Sequence, residues 1–402
     1  VPAAAREAGS YRTHFFLCLS AWESLFGSPM LTVKFAIIAK RYGLPERFVD
    51  SFVALAGKHL TKVQSQTRVS DRPVSFQTQY RRVVNLLAGF RELREDGYKL
   101  ESPWNLKQKH IAHLVRKWVT DLKQSPGTVE NKLTYLRTIA TWMGKPNLVG
   151  RLDDYIERPE DYRRVYYAEV EKTWEASGVD VDELLRKIEQ TDRHVALQLR
   201  LQAAFGLRKN ESFFLKPHRI TAEGKLLVDE GTKAKRARTV AIEFEAQYQL
   251  LADACRMANG TTGTTIPSQF TLDRWRHHYD YVLRVHGVTK RELQITSHGL
   301  RHQYLNGLYH RVTGELSPIQ GGQRPDAALH QEGMRRVVEA AGHSRATKSN
   351  AYLGAHRVTS RRRPTLAEVH AALNESGGEK KAAAAALGIS RQALYRVLAA
   401  AT

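Results

Sequence analysis

The chain has 402 residues, long for one compact domain and comfortable for two or three, and 42% of them are hydrophobic, enough for true cores rather than a disordered polymer. Its 62 Lys and Arg against 41 Asp and Glu leave a net charge of +21, so a polyanionic partner is expected, nucleic acid before a membrane surface. No run of about 18 apolar residues is available to span a bilayer, and Val1 to Arg6 opens no apolar signal core.

From about Tyr11 to Val69 the chain reads as helical without recognisable chemistry, and Arg68 to Pro73 is a polar connection. Ser75 caps a helix with Tyr80, Val83, Val84, Leu87 and Phe90 on one apolar face. A second amphipathic helix carries Ile111, Leu114, Val115, Trp118 and Leu122. A third follows Ser125-Pro126-Gly127 with Val129, Leu133, Leu136, Ile139, Ala140 and Met143. The opposite faces bear Arg81, Arg82, Lys109, Arg116, Lys117, Lys132 and Arg137. Each of these charges alone is a solvated side chain; as a group they are candidates for phosphate contact.

Asn147 to Tyr162 reads as a linker, and helices resume from Val165. Lys225 to Val228 and Thr239 to Ile242 are β-prone runs around Gly231-Thr232-Lys233-Ala234-Lys235-Arg236, a hairpin with a cationic tip. Helices return from about Phe270 to the mid-350s, interrupted by a Gly- and Pro-containing stretch, 314–331, expected as a surface insertion. A basic joint, Ser360 to Pro364, leads to a final module. Cys18 and Cys255 make neither a disulfide framework nor a cysteine-rich zinc site, and are expected as small buried hydrophobes in a reducing cytoplasm.

Five segments occur in a telling order. Gly206-Leu207-Arg208-Lys209-Asn210-Glu211 is followed by Lys233 in the hairpin. Then come His298-Gly299-Leu300-Arg301, Gly342-His343-Ser344 and, nine positions after His343, Tyr352-Leu353-Gly354. Each piece alone is weak, but the ordered set resembles the tyrosine recombinase or phage integrase family. The resemblance implies that Arg208 and Arg301 contact the scissile phosphate, Glu211 holds the local structure, and Tyr352 attacks phosphorus to give a 3′-phosphotyrosyl link. The chemistry fits these residue types. Two guanidiniums neutralise charge that builds on phosphoryl oxygens. A tyrosine hydroxyl, with a pKa near ~10, needs a base or a strong positive field. His298 is the candidate base, Lys233 the candidate acid for the leaving 5′-oxygen with Lys235 as the alternative, and His343 a donor to a phosphoryl oxygen. No cofactor and no metal are expected. Reading His298, His302 and His310 as metal ligands lacks a carboxylate or cysteine partner at a familiar spacing.

At the C-terminus, Thr365-Leu366-Ala367-Glu368 has capping-box spacing, with Leu366, Val369, Ala372 and Leu373 inward. Gly377-Gly378, Ala382-Ala383, Gly388 and a helix capped by Ser390 with Leu394, Val397 and Leu398 inward complete a module that resembles the Fis-type helix-turn-helix. The alternative is a small helical packing appendage. Arg391, Gln392, Tyr395 and Arg396 are its candidate DNA contacts. In the preceding domains Arg81, Arg82, Lys132, Arg137, Lys235 and Arg236 are the candidates.

The expected fold is mainly α with a small antiparallel β-sheet, arranged as a multi-domain clamp. An N-terminal helical region spans 1–68, a core-binding helical domain 70–147, a catalytic domain 160–356 and the helix-turn-helix 364–402. The expected partners are double-stranded DNA at specific recombination sites, three further copies in a homo-tetramer and accessory DNA-bending proteins, with no membrane, in the cytoplasm on the bacterial nucleoid. The rival readings are a type IB topoisomerase-like relaxing enzyme and a non-enzymatic DNA-binding regulator.

Overall fold

The computed structural model describes residues 35–64, 73–159, 161–233, 236–356, 364–387, 389 and 391–399. The expectations for Cys18, Lys235, Gly388 and Ser390, and for the side chains of Gln392 and Arg396, lie outside the described residues. Two compact units divide between Val165 and Tyr166.

The first unit is helical: α1 (Phe35–Lys40), α2 (Glu46–His59), α3 (Phe76–Glu95), α4 (Gln108–Arg116) and α5 (Pro126–Trp142). Ser75 caps α3 by accepting the Thr78 N–H, and Ser125 caps α5 by accepting the Thr128 N–H, which satisfies donors a helix start leaves open. Phe48 and Phe52 of α2 share one core with Val83, Leu87, Phe90, Ile111, Leu114, Trp118, Leu133 and Ile139. The Phe48 and Phe90 rings lie 4.8 Å apart. The expected apolar face of the second helix stops short, because α4 passes into a π-turn at Lys117–Asp121 and leaves Leu122 exposed.

The second unit holds α6 (Val181–Thr191), α7 (Arg193–Phe205), α8 (Lys209–Phe214), β1 (Lys225–Val228), β2 (Arg238–Ala241), α9 (Glu245–Arg256), α10 (Leu272–Val285), α11 (Ser297–Thr313), α12 (Ala327–Ala340) and the single turn α13 (Asn350–Leu353). β1 and β2 are antiparallel, with Leu226 opposite Val240. The hairpin therefore forms as its sequence indicates. Helix α11 joins two apolar clusters. Leu300 packs with Trp174, Trp275 and Tyr279, whereas Leu305 and Tyr309 pack with Phe205, Val337 and Leu353. The 314–331 stretch is not all surface loop, since Pro318–Gln320 form a 3-10 turn and α12 already begins at Ala327. Cys255 is exposed rather than buried.

The C-terminal helices α14 (Leu366–Glu375), α15 (Lys380–Ala386) and α16 (Arg391–Ala399) enclose a small core of Val369, Ala372, Ala383, Ala384 and Leu394. Thr365 and Glu368 form the expected capping box. Leu366 departs from the expected inward set: at the first position of α14 it is exposed. Among the described residues no helix is long and apolar enough to cross a membrane.

Leu87 is fully buried between α3 and its neighbours. Leu87→Ala is expected to cost about 2–5 kcal/mol in the first unit, the range for core cavities. Chemical denaturation followed by the signal of that unit measures it.

Candidate functional site

The site begins where α7 ends. Gly206 adopts φ +60, and a Cβ there would stand 2.4 Å from the Tyr304 ring. Glycine is thus required both by conformation and by space. The turn it permits makes Arg208 the residue that opens α8. The Arg208 N–H donates to Glu211 Oε2 at 2.7 Å, and its guanidinium donates to Glu211 Oε1 at 2.6 Å and to the Ala341 carbonyl at 2.8 Å. Glu211 is fully buried and also accepts two bonds from Arg238, at 2.9 and 2.8 Å. Arg238 in turn donates to the Ala340 carbonyl at 2.8 Å. Burial alone would raise the Glu211 pKa, but the Arg238 bonds and the charges of Arg238 and Arg208 hold it down at about 2.

Arg301 lies one turn after His298 on α11 and is fully buried. Its guanidinium donates to the Gly206 carbonyl, to the Ala341 carbonyl at 2.6 Å and, through Nε, to the Tyr352 hydroxyl at 3.3 Å. Burial lowers its pKa to about 10, so it remains charged at neutral pH. His343 Nε2 is 3.2 Å from the same hydroxyl. The two arginines therefore share the Ala341 carbonyl, while Arg301 and His343 share the tyrosine oxygen.

His298 stands further off, its ring centre 6.3 Å from that of Tyr352. It keeps an exposed face, yet the protein packed around it and the charges of Arg301, Arg208 and Lys172 push its pKa down to about 4. His343 is lowered to about 4 by burial and by the charges of Arg208, Arg301 and Lys233. Both rings are thus neutral near pH 7 and able to accept a proton. Lys233 is exposed on the hairpin. His310 is exposed near the far end of α11, and among the described residues no group of three or more His, Cys, Asp or Glu side chains could hold a metal ion.

Three family models match the chain: "Integrase" over residues 170–306, "Phage integrase, N-terminal" over 62–149 and "Bacterial regulatory protein, Fis family" over 368–400. The chain thus carries an integrase domain and, ahead of it, a phage-integrase N-terminal domain. No curated protein sequence matches it. Among solved structures it is similar to the Tn1549 transposon integrase in complex with transposon right end DNA (13% identity, 72% of this chain and 92% of that one, TM-score 0.47). It is similar also to the XerH site-specific recombinase bound to a palindromic difH substrate (15% identity, 74% and 77%, TM-score 0.42). A third is a lambda integrase tetramer bound to a Holliday junction (13% identity, 84% and 86%, TM-score 0.43). The domain assignment rests on the family models. The integrase match ends at residue 306, so His343 and Tyr352 join the site through its geometry.

Not every basic candidate of this integrase is free to meet DNA. Arg82 is buried and donates to the carbonyls of Leu60 and Lys62, both at 2.9 Å, so it ties α3 to the end of α2 rather than lying on a basic exterior. Lys132 lies 4.4 Å from the centre of the Trp118 ring and 3.5 Å from Glu92, and Arg137 donates to the Gly150 carbonyl at 2.5 Å. Arg81 and Arg236 are exposed, as are Arg391 and Tyr395 on α16, where Lys380 sits 5.1 Å over the Tyr395 ring. A groove of about 630 Å³ beside His343 has Lys225, Arg236, Arg238 and Arg336 in its walls.

Arg238 and Lys172 were not among the sequence candidates, and His302 was weighed only as a metal ligand. Arg238 shares a strand face with buried Val240, and a charge in phase with a core valine calls for a buried partner, here Glu211. His302 follows His298 by four positions, and its ring lies 5.0 Å from that of Tyr352. Lys172 adds positive charge at both His298 and His302. It had no signal in sequence.

The charges give this unit an acid limit. His302, lowered to about 3 chiefly by burial, and His343 stay neutral when folded but protonate near 6.5 when unfolded, so stability falls as pH drops below about 6.5. Glu211 contributes above about 4.5, and its contribution fades as pH falls toward about 2. Denaturation midpoints between pH 7 and 3 should decline accordingly. Glu211→Gln should cost roughly 3–5 kcal/mol at pH 7, as expected for breaking a buried ion pair, and should flatten the decline below pH 4.5.

Proposed function

We propose that this integrase cuts and rejoins duplex DNA at specific sites through a covalent bond to Tyr352. The observation that carries the reading is the convergence of Arg301 and His343 on one tyrosine oxygen, at 3.3 and 3.2 Å, next to Arg208. Tyr352 gives its proton to a neutral imidazole and attacks phosphorus. The new bond joins its oxygen to the 3′-phosphate, and the bond to the 5′-oxygen breaks. His343 is the imidazole in contact with the hydroxyl, so it takes the acceptor role first, and His298, its ring centre 6.3 Å from that of Tyr352, is the alternative. Arg208 and Arg301 neutralise the phosphoryl oxygens as charge builds on them. Lys233 protonates the leaving 5′-oxygen. Attack by another 5′-hydroxyl reverses these steps and rejoins the strand, and the phosphotyrosyl bond conserves the energy without ATP.

The biological setting proposed is integration or excision of a mobile element, by a homo-tetramer on two duplexes, with accessory DNA-bending proteins among the partners. The helix-turn-helix is proposed to hold a DNA segment through Arg391, Gln392, Tyr395 and Arg396. Its support is the Fis-family match and the exposure of Arg391 and Tyr395. Removing residues 364–402 is then expected to leave cleavage intact and to weaken site choice, which footprinting beside a cleavage assay would read.

The decisive experiment mixes the protein with nicked duplexes from the ends of its host element in EDTA and resolves adducts by denaturing electrophoresis. Wild type is expected to form an adduct and Tyr352→Phe none. An equal adduct from the variant would mean that another residue attacks. Arg208→Ala and Arg301→Ala should slow adduct formation at least about 10²-fold. Lys233→Ala should be slow on ordinary DNA and recover on a duplex with a bridging 5′-sulfur, whose thiolate leaves without an acid. Failure to recover would move Lys233 out of that role.

A further inference from the structure

Tyr352 sits on a helix of only four residues, Asn350–Leu353, too short to hold its own geometry. Leu353 anchors it in the apolar core. Two segments distant in sequence also support it. On one flank the Ala168 N–H donates to the Asn350 carbonyl at 2.8 Å. On the other, Gly354 adopts φ 76 and ψ −165, a conformation essentially reserved for glycine. A Cβ at Gly354 would stand 3.1 Å from both the Cβ and the main-chain nitrogen of Ile319, and 3.3 Å from the Ala168 carbonyl oxygen. The connection between α11 and α12 therefore lies directly against the residue that ends the tyrosine turn.

That connection is compact. Ser317 is fully buried, its hydroxyl is 3.1 Å from Gln320 Oε1, and its carbonyl accepts from the N–H groups of Gln320 and Gly322. Gln320 Nε2 then donates to Glu171 Oε1 at 3.0 Å. The same carboxylate oxygen accepts the Thr173 hydroxyl at 2.8 Å. Ile319 and Gln320 thus reach past Gly354 to the 168–173 segment, which itself grips the start of the tyrosine turn.

We propose that residues 315–322 act as a strap. Closed through the Gln320–Glu171 bond, the strap holds both flanks of α13 and fixes the Tyr352 oxygen between Arg301 and His343. Ile319, Gln320 and Glu171 are positioning residues that act through the turn. The inference rests on the reading of Tyr352 as the nucleophile. A shift of about 1 Å in an attacking atom can cost about 10²-fold in rate, so so small a bond can matter.

The test reverses the polarity of that bond in the full-length protein. Gln320→Glu sets two carboxylates against each other, and adding Glu171→Gln restores a carboxylate–amide pair. Adduct formation on a nicked duplex is followed in a single turnover at saturating protein, with DNA affinity and thermal melting measured alongside. Gln320→Glu is expected to cleave roughly ten- to a hundred-fold more slowly with unchanged affinity, and the double variant to regain most of the rate. The slowed variant should stay slow on the bridging 5′-sulfur duplex, which relieves only the leaving group. A wild-type rate in Gln320→Glu would overturn the strap, as would a deficit that Glu171→Gln fails to relieve or that the 5′-sulfur abolishes. Should Gln320→Glu melt too early to assay, Gln320→Ala replaces it, and a wild-type rate there overturns the strap equally. An adduct from Tyr352→Phe would remove the nucleophile, and the strap with it.

Discussion

The second unit depends on one buried carboxylate. Glu211 is fully buried and is held by the guanidiniums of Arg238 and Arg208. An unpaired charge at such a position would cost several kcal/mol, so the clamp forms as a whole or fails as a whole. Through it, three places distant in sequence are fixed together: the start of α8, the second strand of the hairpin and the end of α12. Ala340 and Ala341 lend their carbonyls to the same arginines. The residue after them is Gly342 and the next is His343. The clamp thereby positions a group that reaches the tyrosine oxygen without touching that oxygen itself.

Around the clamp the electrostatics are lopsided by design. Arg208, Arg238 and Arg301 gather around a single buried anion, and Lys172 and Lys233 add positive charge at the histidines. Burial first, and the same field second, keep His298, His302 and His343 neutral. An excess of positive charge is costly in the free protein; on the proposed reading an anionic phosphate would make it favourable, because the donors are already oriented. Neutral imidazoles in that field are available as proton acceptors at neutral pH.

The net charge of +21 is divided among several tasks. Part is absorbed by folding: Arg82 ties two helices, Lys132 covers Trp118 and Arg137 binds a loop carbonyl. Part stays exposed, as at Arg81, Arg236 and Arg391. The C-terminal helices have an apolar core of their own around Val369 and Leu394, small because alanines let the helices approach closely. That economy matches a module whose exposed side chains, rather than its bulk, carry its role.

Much of this integrase was legible in its sequence, because local patterns report local physics. Apolar spacing announced α3, α4 and α5, the serine caps marked two of their starts, and the β-prone runs announced the hairpin. The order of Arg208, Lys233, His298, Arg301, His343 and Tyr352 carried the family resemblance from which the proposed chemistry follows. What only the tertiary structure decided is which side chains meet. Periodicity cannot tell an arginine that faces water from one that bonds two carbonyls, as Arg82 does, because both occupy a polar position on the helix. It cannot reveal that Arg238 answers Glu211 from 27 residues away. Nor can it show that His343 rather than His298 touches the tyrosine, or that Ile319 packs behind it, because those contacts join segments whose distance in space is unrelated to their distance along the chain.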